Sequence, residues 1–315
     1  MNADNQLVVI TRVLLPAGRE RLAERFELRE GGLEASRSTL LKLAPGAAAL
    51  VTDPRVPVDS DVLDACGERL RLVANFAVGY DNVDLEECRR RGVIVTNTPD
   101  VLTEATAELA LALTLAAARR MSDAERDLRA GVWRGWDPAA YRGIEISGST
   151  VGVVGMGRIG HRYARLVHGL GAEILYAGPS AKPEAEGELG AGWAELRELL
   201  EAADVVSLHA PSTPETRGLI GAAELELIGP QGLLVNTSRG PLVDSEAVAN
   251  ALESGALGAV GLDVYENEPE VSPRLLPIQI LDPIDVSNAI VWLVSDEARA
   301  VTGITLPVDA GVTCP

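Results

Sequence analysis

The clearest chemistry in the chain lies in one glycine-rich segment. Val151-Gly152-Val153-Val154-Gly155-Met156-Gly157-Arg158-Ile159-Gly160 reads as an apolar strand, a G-x-G-x-x-G turn and the start of a helix. Gly155 permits the tight turn, Gly157 lets backbone approach an anion, and Gly160 lets helix and strand pack closely. Backbone N–H groups across Met156, Gly157, Arg158 and Ile159, with the positive end of the helix macrodipole behind them, suit a pyrophosphate. A plain glycine turn is the simpler alternative, but strand, turn and helix in that order inside a βαβ repeat point to a bound dinucleotide.

The next strand is expected to end in a carboxylate for the ribose 2′-hydroxyl. Tyr176-Ala177-Gly178-Pro179-Ser180-Ala181-Lys182 has none. Lys182 fits either a 2′-phosphate contact or a solvated loop lysine, so NAD and NADP both stay open. The three histidines, His161, His168 and His209, read as structural: two sit on the helix after the turn and one ends a strand. Taken alone, Glu266 and Glu268 are a solvated acidic loop, and Arg239 is a surface arginine after a strand. Cys66, Cys88 and Cys314 are far apart with no CxxC pair, which excludes a disulfide framework or zinc site and fits a reducing compartment, read as cytoplasm.

The elements that hold these groups follow from periodicity. Short β-rich runs at residues 7–11, 48–52, 70–77 and 93–98 alternate with helical stretches at 19–26, 59–66 and 84–91, the last capped by Asp84 and stopped by Gly92. A helix at 103–120, apolar nearly all round, reads as a connector buried between domains or subunits. Strands at 150–154, 173–176, 205–209, 233–236 and 259–263 then alternate with helices from 158, at 195–202 and at 245–254, while 179–192 reads as a loop of low order. The expected fold class is α/β with two domains: a smaller flavodoxin-like unit at 1–99 and a doubly wound parallel Rossmann-type sheet at 100–276.

Composition sets the outer limits. The 315 residues are 47% hydrophobic and 23% charged, a packed globular mixture rather than a disordered or fibrous one. Twenty-eight basic against 46 acidic side chains give a net charge of −18, which repels nucleic acid and anionic lipid alike. The most apolar stretch, residues 105–118, contains Glu108 and is too short to span a bilayer, and residues 1–16 lack an export signal. Neither nucleic acid nor membrane is expected as a partner.

Several segments together resemble a known family. Asn75-Phe76-Ala77-Val78-Gly79-Tyr80-Asp81-Asn82-Val83-Asp84, Thr96-Asn97-Thr98-Pro99-Asp100, the Gly155–Gly160 turn, Asn236-Thr237-Ser238-Arg239-Gly240 and Gly261-Leu262-Asp263-Val264-Tyr265-Glu266-Asn267-Glu268-Pro269 resemble the D-isomer-specific 2-hydroxyacid dehydrogenases, nearest to their glyoxylate/hydroxypyruvate reductase branch. The resemblance runs from 7 to 276. It implies hydride transfer between NAD(P)H and a small 2-oxo acid, with 1–99 as the substrate-binding domain and 100–276 as the dinucleotide-binding domain. It also implies Arg239 as catalytic and substrate-binding, Val78 and Gly79 N–H groups on the substrate carboxylate, and Glu268 as the catalytic group that tunes a histidine. Asp263 would lie beside the nicotinamide carboxamide, and Pro211 and Thr237 would touch the cofactor. Members are usually homodimers, and Trp133 and Trp136 beyond the connector offer apolar surface for one.

Two departures stand out. The family's proton-donating histidine follows the glutamate by a little over twenty residues, and this chain has no histidine after His209. From Pro277 the pattern instead resembles the C-terminal helix and last strand of short-chain dehydrogenases, expected to pack on the Rossmann sheet. The chemistry of those enzymes is excluded, because neither Lys42 nor Lys182, the only lysines, has a tyrosine four residues before it. The expectation is an oxidoreductase impaired by the missing imidazole, with its proton from water, Asp282 or Asp285. The alternative is a non-catalytic dinucleotide-binding or sensing protein.

Overall fold

Short runs of branched aliphatic residues, each followed by a helix on the way to the next strand, pair in parallel into two sheets. The computed structural model describes residues 6–33 and 35–275. The first sheet contains β1 (Leu7–Ile10), β2 (Glu27–Glu30), β3 (Ala47–Thr52), β4 (Leu72–Asn75) and β5 (Ile94–Thr96) in the order β2-β1-β3-β4-β5. Its helices are α1 (Pro16–Ala23), α2 (Arg37–Leu43), α3 (Ser60–Cys66) and α4 (Leu85–Arg90). Ser36, Asp59 and Asp84 cap the last three by accepting first-turn N–H groups, each worth about 1 kcal/mol.

The second sheet runs β11-β10-β9-β6-β7-β8. Its strands are β6 (Thr150–Val154), β7 (Glu173–Ala177), β8 (Gly192–Trp193), β9 (Val205–Leu208), β10 (Leu233–Asn236) and β11 (Ala259–Leu262). Around them lie α5 (Thr103–Ala118), α6 (Met121–Arg129), α7 (Arg158–His168), α8 (Pro183–Leu189), α9 (Leu196–Ala202), α10 (Ala222–Ile228) and α11 (Ser245–Ser254). Every residue of β9 and β10 is buried, as expected of central strands covered on both faces. Each such Val or Leu contributes roughly 1.5–3 kcal/mol by leaving water.

Register decides where the loops go. Val154 lies level with Ala177 and Leu208, Leu208 with Asn236, and Asn236 with Leu262. The loops beginning at 155, 178, 209, 237 and 263 therefore leave one edge together. Strand order reverses between β6 and β9, and in the first sheet between β1 and β3, which are the places where doubly wound sheets bind ligands.

Within the single chain α5 buries one stripe, Ala107, Ala110, Thr114 and Ala118, while Leu109 keeps 38% of its surface exposed. That small-residue stripe lets it lie on α7, where Thr114 Oγ1 and Tyr163 OH are 2.8 Å apart. The segment read as a low-order loop folds into α8, because Tyr176 OH donates to Glu186 Oε1 at 2.6 Å and accepts from Lys182 N–H at 2.5 Å. Strand β2, sequence ELRE, carries no apolar alternation because it is a charged edge strand. The expected helix and strand at 277–315 lie outside the described residues. No helix among the described residues is long and apolar enough to cross a membrane.

Candidate active site

The phosphate turn shows three different reasons for its glycines. Gly155 has φ +98°, and a β-carbon there would lie 2.7 Å from Ala210 N. One on Gly160 would run into the carbonyl of Gly155. At Gly157, by contrast, a β-carbon would meet no protein atom within 4 Å. The fold requires the first and third glycines, whereas the second opens onto free space at the start of α7. Met156 is buried behind the turn, and Arg158 donates to Asp100 Oδ1 at 2.7 Å.

A cavity of about 640 Å³ extends from this turn to the first sheet and is lined by Val78, Gly79, Ile159, Pro211, Thr237 and Arg239 among others. His209 lines it too. Two buried polar atoms on its wall, His209 Nδ1 and Thr237 Oγ1, have no partner among the described residues. Orphaned polar atoms beside an open glycine turn fit a polar, phosphate-bearing ligand such as a dinucleotide.

At the other end, Arg239 follows β10 in a loop fixed by its own neighbours. Asn236 Nδ2 donates to Arg239 O at 2.9 Å, Asn236 Oδ1 accepts from Ser238 N–H at 3.0 Å, and Ser238 Oγ donates to Leu208 O at 2.7 Å. The guanidinium then crosses to the first sheet. Its Nη1 donates to Ser238 O at 2.8 Å, and Nε and Nη2 each lie 2.9 Å from Asp81 Oδ1. A β-carbon on Gly79 would collide with Nη2.

The loop bearing Gly79 is pinned by its carbonyls. Thr98 N–H donates to Ala77 O at 2.9 Å, Asn97 Nδ2 to Val78 O at 2.8 Å, and Asn75 Nδ2 to Gly79 O at 2.7 Å. In a trans peptide the N–H points opposite to the C=O. The N–H groups of Val78, Gly79 and Tyr80 therefore face away from these partners, and none has an acceptor among the described residues. Successive free N–H groups beside a guanidinium are complementary in charge and geometry to a carboxylate.

The acidic loop closes a second cavity of about 650 Å³ that also contains Arg239 and Asp81. Glu268 Oε1 accepts from Tyr265 N–H at 2.9 Å. Burial, with the charge of Glu268 nearby, holds the Asp263 carboxyl above its usual range. Val78 and Gly79 line the first cavity and Glu268 the second, with Arg239 common to both, while Asp263 stands one residue beyond β11 and lines neither. No carboxylate follows β7; Trp193 Nε1 donates to Gly178 O at 3.3 Å there.

Imidazole is the missing part. His209 is buried, with Nε2 2.9 Å from Ser207 Oγ and its ring centroid 5.0 Å from that of Tyr163. Burial pulls its pKa down to about 3, so it is neutral near pH 7 and carries no imidazolium proton to give. His161 lies 3.3 Å from Glu188, and His168 is exposed at the end of α7. Sequence reasoning passed over Asp81, Asn75 and Asn97. All three stand in the segments quoted above, but their partners are set by topology.

Two doubly wound parallel sheets, with a glycine turn of dinucleotide type at the switch point of one and free N–H groups beside an arginine after β4 of the other, are the arrangement of a cofactor-dependent oxidoreductase. The family model for the D-isomer specific 2-hydroxyacid dehydrogenase NAD binding domain matches residues 111–283. A glyoxylate reductase of Thermococcus kodakarensis is 46% identical over 278 residues, covering 86% of this chain and 83% of that protein. A glyoxylate reductase structure from Paecilomyes thermophila superposes with a TM-score of 0.76 at 30% identity, covering 93% of this chain and 96% of that one. The NADPH-dependent glyoxylate/hydroxypyruvate reductase of Sinorhizobium meliloti, solved with NADP and malonate, gives 0.74 at 34% identity, covering 87% of this chain and 83% of that one. The chain belongs to the D-isomer specific 2-hydroxyacid dehydrogenase family.

Proposed function

We propose that this chain reduces a small 2-oxo acid of the glyoxylate or hydroxypyruvate type to the 2-hydroxy acid, using NADPH or NADH. The carrying observation is that Arg239 and the free N–H groups at 78–80 share a cavity with Ile159, Pro211 and Thr237 beside the phosphate turn. The sheet at residues 7–96 is the substrate side and the sheet at 150–262 the cofactor side. The N–H groups of Met156 to Ile159 would hold the pyrophosphate, and a reduced nicotinamide bound there would supply hydride to C2. Val78 and Gly79 N–H groups grip the substrate carboxylate, and Arg239 neutralises it and the oxygen that gains charge. That oxygen takes its proton from water in the open cleft. Loss of a positioned imidazole lowers turnover by about 10² to 10⁴ fold relative to an enzyme that has one.

A second reading, a nucleotide-binding protein without turnover, is favoured by one observation: His209 is the sole imidazole on the cleft among the described residues, and it is neutral. Titrating each nucleotide, then adding glyoxylate or hydroxypyruvate and following nicotinamide absorbance, separates the two. Oxidation supports the first, binding without oxidation the second, and no binding refutes both.

The chain is further proposed to dimerise through Met121 and Leu128 of α6 with Trp133 and Trp136 beyond it, residues that are 53–88% exposed. Sedimentation at twice the monomer mass is the expected result.

A further inference from the structure

Arg239 has five N–H donors, and what engages them determines what a substrate meets. Asp81 Oδ1 accepts from both Nε and Nη2 at 2.9 Å, and Ser238 O accepts from Nη1 at 2.8 Å. One hydrogen on each Nη remains for a ligand. Arg239 and Asp81 come from opposite sides of the cleft, 158 residues apart in the chain. Both line the two cavities, and both are about two-thirds buried.

Resting on the function proposed above, we propose that Asp81 is a positioning residue: it holds the Arg239 guanidinium against Gly79, so that its remaining Nη hydrogens face a 2-oxo acid beside the N–H groups at 78–80. Asp81 does not touch the reacting atoms. It acts by fixing the rotation of a long side chain that otherwise samples many rotamers, and by occupying the edge that a misoriented carboxylate would take. Gly79 is the matching half of the device, because any side chain there displaces the guanidinium.

The probe is oxamate, an unreactive isostere of a 2-oxo acid, titrated into the full-length protein saturated with whichever nicotinamide nucleotide binds. Asp81→Ala and Asp81→Asn are compared with the parent protein, and nucleotide affinity and melting temperature are measured on the same samples. Positioning predicts that D81A weakens oxamate binding by about 10- to 100-fold and D81N by less, since Asn keeps one acceptor, with nucleotide affinity within about twofold. Equal or tighter oxamate binding by a folded D81A overturns the inference, because Asp81 would then be a competitor that the substrate displaces. Equal losses of oxamate and nucleotide affinity also overturn it, as they mark a structural role only. If the parent binds nucleotide but not oxamate, the substrate reading beneath the inference fails.

Discussion

Gly79 and Arg239 occupy one another's space, and their substitution separates binding from folding. In Gly79→Ala the new methyl meets the far end of a flexible side chain, which swings aside at little cost in stability. Affinity for the oxo acid is expected to fall by about 10²-fold, since misplacement by about 1 Å costs that much. The melting temperature stays within about 4 °C, corresponding to a change near 1 kcal/mol. Calorimetry and thermal melting on one preparation check both halves. His209 yields a prediction about pH. Its folded pKa of about 3 lies below the ordinary 6.5, so between these values the unfolded chain binds a proton that the native state does not. Stability from this group is complete above about pH 6.5 and declines on acidification, by roughly 1.4 kcal/mol per pH unit, until about pH 3. Urea midpoints across that range are expected to fall less steeply in His209→Gln than in the parent.

At the scale of elements, the strand β6, its turn and α7 separate fold from function within three glycines. Gly155→Ala puts a side chain at φ +98° and against Ala210 N, costing about 1–3 kcal/mol and reducing nucleotide binding with it. Gly157→Ala leaves stability within about 0.5 kcal/mol, because its β-carbon meets nothing, yet weakens nucleotide binding on the order of 10-fold by filling the space for pyrophosphate. Denaturation and titration of both variants decide the matter. This turn was legible in the sequence because glycine spacing reports backbone directly. The strands other than β2 and β8 were legible too, as short apolar runs between helices, whereas β2 is a charged edge and β8 is only two residues long. Helix α8 was hidden by a Gly- and Pro-rich composition whose order comes from the Tyr176 hydroxyl, and α6 by its lack of any buried residue. Asp81 was not legible as a partner of Arg239, since only the packing of two sheets brings residues 158 apart together.

For the whole molecule, charge and cleft act on the same ligand. The net charge is −18, and even the outer cavity sets three arginines, Arg12, Arg55 and Arg239, against Asp53, Asp81, Glu266 and Glu268. An anionic substrate and an anionic nucleotide therefore approach a like-charged surface, and salt screens that repulsion. Apparent affinity for the nucleotide is expected to rise by a few-fold between about 10 mM and about 150 mM salt, where the Debye length shrinks from roughly 30 to 8 Å. Falling affinity would mean that the phosphate turn's own field dominates. The central claim is that one cleft holds a nicotinamide nucleotide and a 2-oxo acid, with Arg239 serving the acid alone. Glyoxylate-dependent oxidation of NADPH and NADH, measured in the parent and in Arg239→Lys with nucleotide affinity determined alongside, tests it most directly. The account predicts that the parent oxidises at least one nucleotide and that the variant loses about 10²-fold in kcat/KM while binding nucleotide equally well. Turnover unchanged in the variant, or no nucleotide bound by the parent, would contradict it.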